Sequence, residues 1–218
     1  MTIYETICDV NEKLIKKEAI EAKFKQDTIN YILNNISGEE NMDNMFKSVA
    51  IETDRLILRN FTYDDKNEFY SITRDIKLYE TLPEDHMYSM DEISEIIDWF
   101  ISQYNNNSIK NIPKFPLAII LKEGNKLIGN IGIGQYSDDK SKMEIFYFII
   151  SEYWNKGYAS AAVDVFLKYV KENDLVTSLI GAVVPNNIAS IKILLKNGFV
   201  KINCKDSHNR DIYKIINK

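Results

Sequence analysis

A chain of 218 residues, 45% hydrophobic and 27% charged, has the composition of an ordinary globular protein and is long enough for a substantial core. Its net charge of −5 argues against nucleic acid as a main partner, and no apolar run nears the roughly 20 residues of a membrane helix, so no membrane association is expected. Two cysteines and two histidines, widely scattered, give neither a disulfide framework nor a metal cluster. The first residues lack the apolar stretch of a signal peptide, and the expected compartment is the cytoplasm.

Residues 1–50 hold six lysines and nine acids, so most of the net charge sits there. Val10, Leu14 and Ile15 recur at helical spacing, followed less regularly by Ile20, Phe24, Tyr31 and Ile32, and Ser37 with Gly38 would stop the pattern. Residues 39–48 are polar and read as a linker. Residues 1–50 are therefore expected to be an N-terminal helical extension and linker, a packing or oligomerisation appendage that could serve a homodimer. A regulatory role and disorder are the alternatives.

A second unit is expected over residues 51–218. Arg55 to Arg59 reads as a short strand, and Thr62 to Asp65 as a helix start with acids in the first turn, leading through Phe69 and Ile72. Pro83 breaks the next segment. Met90 opens a helix whose Ile93, Ile96, Ile97, Phe100 and Ile101 form one apolar face. From Leu78 to Ile109 there is no Lys or Arg, but there are seven acids: Glu80, Glu84, Asp85, Asp91, Glu92, Glu95 and Asp98. They form either a solvated helix face or an acidic lip that draws in a cation.

Phe115 to Leu121 is a strand, Glu123 to Asn125 a hairpin turn, and Lys126 to Gln135 the returning strand. Its Gly129, Gly132 and Gly134 are expected along one face, marking close approach of a backbone or ligand, or a bulge. A central strand follows from Lys142 to Ile150, with an unbroken apolar run from Ile145 that reads as fully buried. The helix after Gly157 turns Ala159, Ala162, Val163, Phe166 and Val170 to one side. Ser178 to Val184 is the next strand, ended by Pro185. A strand, a helix and a strand in succession imply a right-handed crossover and a parallel pair. Asn187 caps a helix expected to bury Ile188, Ile191, Leu194 and Leu195, closed by Asn197 and Gly198, and two more strands begin at Phe199 and Asp211. The fold class is α+β, a mixed arrangement of an antiparallel meander and one parallel pair.

The stretch from Tyr153 to Ser160 carries chemistry. A buried strand, a turn of small residues and a helix make an anion site, because the first helical turn offers unpaired N–H groups and a favourable dipole. Gly157 and Ala159 are small enough for a phosphate to come close.

Taken together, Tyr153 to Ala159 and Pro185 to Phe199 resemble the GNAT superfamily of acyl-CoA-dependent N-acetyltransferases. Ile51 to Arg59 looks like the opening of its RimJ/RimL-type branch. The resemblance covers roughly residues 51–218 and implies a central, mostly antiparallel sheet with one splayed parallel strand pair and flanking helices. It also implies acetyl-CoA as cofactor. Trp154, Gly157 and Ala159 match positions of the family's pyrophosphate loop. Asn155 stands where that branch often has Gly, and Asn tolerates unusual backbone angles. Ala161 stands where it often has Glu.

On this reading, N–H groups of Asn155, Lys156, Gly157, Tyr158, Ala159 and Ser160 face the pyrophosphate. The pantetheine arm adds as a pseudo-strand beside Phe148, Ile149 and Ile150, which requires the strand Ser178 to Val184 to splay away. An N–H near Ile149 could polarise the thioester carbonyl. The resemblance implies that Asn187 contacts the pantetheine arm, besides capping its helix. Many members carry a Tyr that protonates the departing thiolate; here that position is Leu194, and Ser190 is the nearest side chain able to donate to the sulfur. The alternative for Ser190 is a local bond to the helix backbone. Glu144 could act as base through a water, or be a paired strand-end carboxylate, and His86 is a weaker candidate.

The expected function is direct acetyl transfer to a primary amine, either a protein N-terminus or a small cationic amine. An aminoglycoside- or polyamine-type enzyme and a silent CoA-binding sensor are the rivals.

Overall fold

The computed structural model describes residues 45–80 and 88–216. The helical reading of residues 1–36, the first part of the linker, and Pro83, Glu84, Asp85 and His86 lie outside the described residues. Among the described residues eight strands form one sheet. In chain order they are β1 (Ala50–Glu52), β2 (Leu56–Arg59), β3 (Lys114–Leu121), β4 (Lys126–Gln135), β5 (Met143–Ile149), β6 (Ser178–Val183), β7 (Val200–Lys205) and β8 (Asp211–Ile216). Their spatial order is β1-β2-β3-β4-β5-β6-β8-β7. All neighbours are antiparallel except β5 and β6, a parallel pair that meets at the single register pair Glu144 and Ile180.

Among the described residues four α-helices cover the sheet: α1 (Lys66–Ile72), α2 (Met90–Asn106), α3 (Tyr158–Glu172) and α4 (Ile188–Lys196). Each start has a local cause. Asp65 accepts from the Thr62 N–H at 2.7 Å ahead of α1 and takes both arms of the Arg59 guanidinium at 2.7 Å. Ser89 caps α2 by accepting from the Glu92 N–H, while Glu92 accepts from the Ser89 N–H at 2.7 Å. Asn187 Oδ1 caps α4 by accepting from the Ser190 N–H at 3.1 Å.

Period-two alternation sorts the strand residues into two cores. Phe115, Leu117, Ile119, Ile131 and Ile133 pack with Val163 and Phe166 of α3 on one face. Ala118, Ile120 and Leu127 pack with Phe61, Phe69 of α1, and Ile93, Ile97 and Phe100 of α2 on the other. The packed body reaches back before residue 51, because Phe46 is fully buried against the edge of Phe115.

Three expectations need correcting. The run from Ile145 to Ile150 is not buried throughout: Ile145 and Ile149 are, but Phe146, Tyr147, Phe148 and Ile150 are half-buried, because the β5 edge opens where β6 leaves it. In α4, Leu194 is buried, whereas Ile188 and Leu195 are more than half exposed. The β4 glycines do not share one face. Gly132 and Gly134 do, while Gly129 sits beside a bulge opposite Ile119 and Ile120. Their shared cause is close approach: a Cβ at Gly129 would lie 2.1 Å from the Phe148 carbonyl oxygen, and one at Gly132 would lie 2.3 Å from that of Phe115.

Candidate active site

Where β5 and β6 part, a cavity of about 740 Å³ opens between the carboxyl ends of the strands, α1 and α2 on one side and α3 and α4 on the other. Among the described residues, every site residue expected from the sequence lines it except Ile150 and Lys156. The Ile150 N–H is held by the Ile128 carbonyl at 2.9 Å, so by strand alternation the Ile149 N–H turns to the open edge. The Ile149 carbonyl on that edge is taken by the indole N–H of Trp154 at 2.5 Å. Trp154 therefore ties off the end of the strand.

The loop after it is shaped for an anion. Asn155 (φ 59°) and Gly157 (φ 79°) both adopt the left-handed conformation, so Asn does sustain the turn at the position where Gly is common in the branch. Gly157 is the N-cap of α3. Among the described residues, none of the N–H groups from Asn155 to Ser160 is taken by a carbonyl or side chain; the next N–H, of Ala161, is taken by Gly157 at 3.0 Å. A run of free amides at the start of a fifteen-residue helix is a concave, electropositive cradle. Arg55, read from sequence only as the start of a strand, braces this loop: it donates to the Lys156 carbonyl at 3.2 Å and stacks on Tyr158 at 4.5 Å.

Ser190 lies one turn into α4, with its hydroxyl 2.8 Å from the Tyr147 hydroxyl. Burial pushes the Tyr147 phenol up to about 12, so it stays protonated. Sequence reading missed Tyr147; the only signal was a hydroxyl-bearing aromatic inside an otherwise apolar run. Leu194, one turn beyond Ser190, packs into the space above Gly181 and carries no polar group. A tyrosine hydroxyl is thus present near the α4 wall, supplied from β5.

Glu144, at the start of β5, is held by Arg210 at 3.1 Å, and Arg210 is in turn anchored by the buried carboxylate of Asp206 at 2.6 Å. Burial pushes the Glu144 carboxyl above its usual range, outweighing the pull of Arg210 and Lys114 in the other direction. Arg210, 66 positions away in a loop, was invisible to local pattern reading. The acids of α2 are exposed, and Glu144 is the sole carboxylate among the described lining residues, which favours the solvated-face reading for the acids of α2.

Residues 55–200 match the family described as the acetyltransferase (GNAT) domain. The chain belongs to the GNAT family. It is 32% identical over 152 residues to the uncharacterized N-acetyltransferase YoaA of Bacillus subtilis (strain 168), covering 69% of this chain and 82% of that one. GNAT folds superpose well. The ribosomal-protein-S5-alanine acetyltransferase of Vibrio fischeri matches with TM-score 0.65 at 18% identity, over 78% of this chain and 98% of that one. A RimL ribosomal L7/L12 alpha-N-protein acetyltransferase in complex with coenzyme A matches with TM-score 0.66 at 15% identity, over 77% and 98%. This GNAT chain is an acyltransferase, and its acetyl donor is acetyl-CoA. The unclaimed amides from 155 to 160 and the open β5 edge fit the charge and the amide-bearing arm of that donor.

Proposed function

We propose that this protein acetylates a primary amine by direct transfer, with no covalent enzyme intermediate. The observation that carries the reading is the pairing of a free amide cradle with a one-rung strand split beside it. Asn155 to Ser160 would hold the pyrophosphate of the donor through their N–H groups, with Arg55 keeping the loop in shape. Tyr147 and Ile149 would pair with the pantetheine amides along the open edge, and Asn187, besides capping α4, stands beside that path. The donor supplies an activated acyl carbon; the amine nitrogen bonds to it as the carbon–sulfur bond breaks.

The chain's own residues then handle position and protons. Glu144 is the base for the ammonium form of the acceptor, directly or through one water, and burial, by raising its pKa, makes it a stronger base than an ordinary glutamate. Arg210 fixes the orientation of that carboxylate. Ser190, steadied by Tyr147, offers its hydroxyl to the sulfur as negative charge gathers there. RimL and the S5-alanine enzyme are named for acting on ribosomal proteins, and they make a protein N-terminus one acceptor to test beside small amines.

The experiment is calorimetric titration of acetyl-CoA with ATP as control, followed by an amine-dependent thiol-release assay. Micromolar binding of acetyl-CoA but not ATP, with thiol released only when an amine is present, is the expected outcome. Tight binding without release for any amine would instead assign a CoA sensor.

A further inference from the structure

The acceptor side of the cavity is walled by rings. Phe69, Tyr79, Tyr88, Trp99, Phe100 and Phe148 all line it. Phe69 stands 6.2 Å from Phe100 and 6.3 Å from Phe148, centroid to centroid. Set into this apolar wall is one carboxamide. Asn130 sits on β4 directly opposite Phe148 and beside Ala118 of β3, 5% exposed, and neither neighbouring side chain can hydrogen-bond it. Its Oδ1 is buried with no partner, and among the described residues its Nδ2 donates to nothing. Asn107, the other residue with such an oxygen, lies away from the cavity and uses its Nδ2 on the Lys114 carbonyl, a structural bond.

A buried carboxamide without a partner is costly, and few are left so in folded proteins. One that lines a cavity can turn about its last torsion to present either its oxygen or its nitrogen to an occupant. The charges around it limit what that occupant is. Glu144 is engaged by Arg210, and Lys114 lies 3.8 Å over the Phe146 ring. Among the described lining residues a molecule with several positive charges would find one carboxylate, Glu144, already shared with Arg210, enough to receive one amine but not to replace the hydration of several.

Resting on the acyl-transfer reading, we propose that this compartment selects a small primary amine carried on a ring-sized apolar body, with one hydrogen-bonding group on that body read by Asn130. The amine end meets Glu144, the rings cover the body, and Asn130 supplies the polar contact that sorts one aromatic amine from another.

The test compares tyramine, phenethylamine and spermidine by thiol release at saturating acetyl-CoA, using the full chain. The kcat/KM for tyramine exceeds that for phenethylamine about tenfold and that for spermidine by more. In Asn130→Leu the tyramine-to-phenethylamine ratio drops toward one, while calorimetric affinity for acetyl-CoA is unchanged. Spermidine outpacing both aromatic amines, or an unaltered ratio in Asn130→Leu, overturns the proposal. A peptide with an apolar first residue outpacing tyramine overturns it too, by moving the occupant to a protein N-terminus. A second readout needs no turnover. Both tryptophans of the chain, Trp99 and Trp154, line the cavity, so tryptophan-selective fluorescence reports its occupancy. Saturable quenching by tyramine in a protein that fails to bind acetyl-CoA would refute the transferase reading and keep this one. Absence of quenching beside normal acetyl-CoA binding would do the reverse.

Discussion

Tyr147→Phe removes one oxygen atom and with it the 2.8 Å contact to the Ser190 hydroxyl. The ring stays, so packing against the α4 side is kept. A neutral hydrogen bond contributes about 0.5–1.5 kcal/mol net, which through the transition-state relation is about two- to tenfold in rate. Ser190→Ala removes the group aimed at the departing sulfur and is expected to cost about a hundredfold in kcat, within the range for a single donor to developing charge. Tyr147 works through Ser190, so the effects do not add: in the Ser190→Ala background, Tyr147→Phe costs nothing further. The assay is thiol release under saturating acetyl-CoA, run on all four proteins of the cycle. Additive losses, with Tyr147→Phe costing tenfold in both backgrounds, would refute the relay and make Tyr147 an independent contact.

The base is tested through pH. Glu144 acts when ionised and its pKa is raised by burial, so the acid limb of kcat/KM inflects above the ordinary glutamate range. Arg210 pulls that pKa down; Arg210→Gln therefore moves the limb to still higher pH, and Glu144→Gln abolishes it, whereas an unmoved limb in both variants would exclude Glu144 as the base. A stability prediction concerns Asp65. Burial alone would raise its carboxyl, but hydrogen bonds from Arg59 and Thr62 hold it below the usual range. Its contribution is complete above the unfolded-state pKa and is lost as pH falls through the lower folded value. Asp65→Asn should cost about 2 kcal/mol by urea denaturation at neutral pH, the low side of a broken buried pair because Arg59 is 31% exposed, with the gap to wild type closing in acid.

Much of this architecture can be read from single residues. Gly124 and Asn125 mark the hairpin because both take positive φ there, and the β4 bounds of Lys126 and Gln135 follow from the turn on one side and polar residues on the other. The loop from Asn155 to Ser160 is readable because its chemistry is main-chain and local. Tyr147 and Arg210 are not, for a shared reason. Each acquires its meaning from a partner more than forty positions away, and period-two patterning says which face a side chain takes without saying what stands opposite. The partial exposure of β5 is not legible, because an apolar run looks the same whether the next strand closes on it or leaves it. Asn130 carried no signal at all between glycine and isoleucine; only the empty space beside it gives it a role.

The split between β5 and β6 has a mechanical side. A single backbone rung joins the five-strand half of the sheet to the three-strand half. Side-chain ties also join the two halves: Glu144 to Arg210 and Tyr147 to Ser190 within the cleft, and Asp138 to Ser207 outside it. The groups assigned to proton handling are thus also rivets across the seam. The width of the cleft and the chemistry within it then share atoms, and a catalytic variant at these positions also removes one of the ties that set the gauge of the opening.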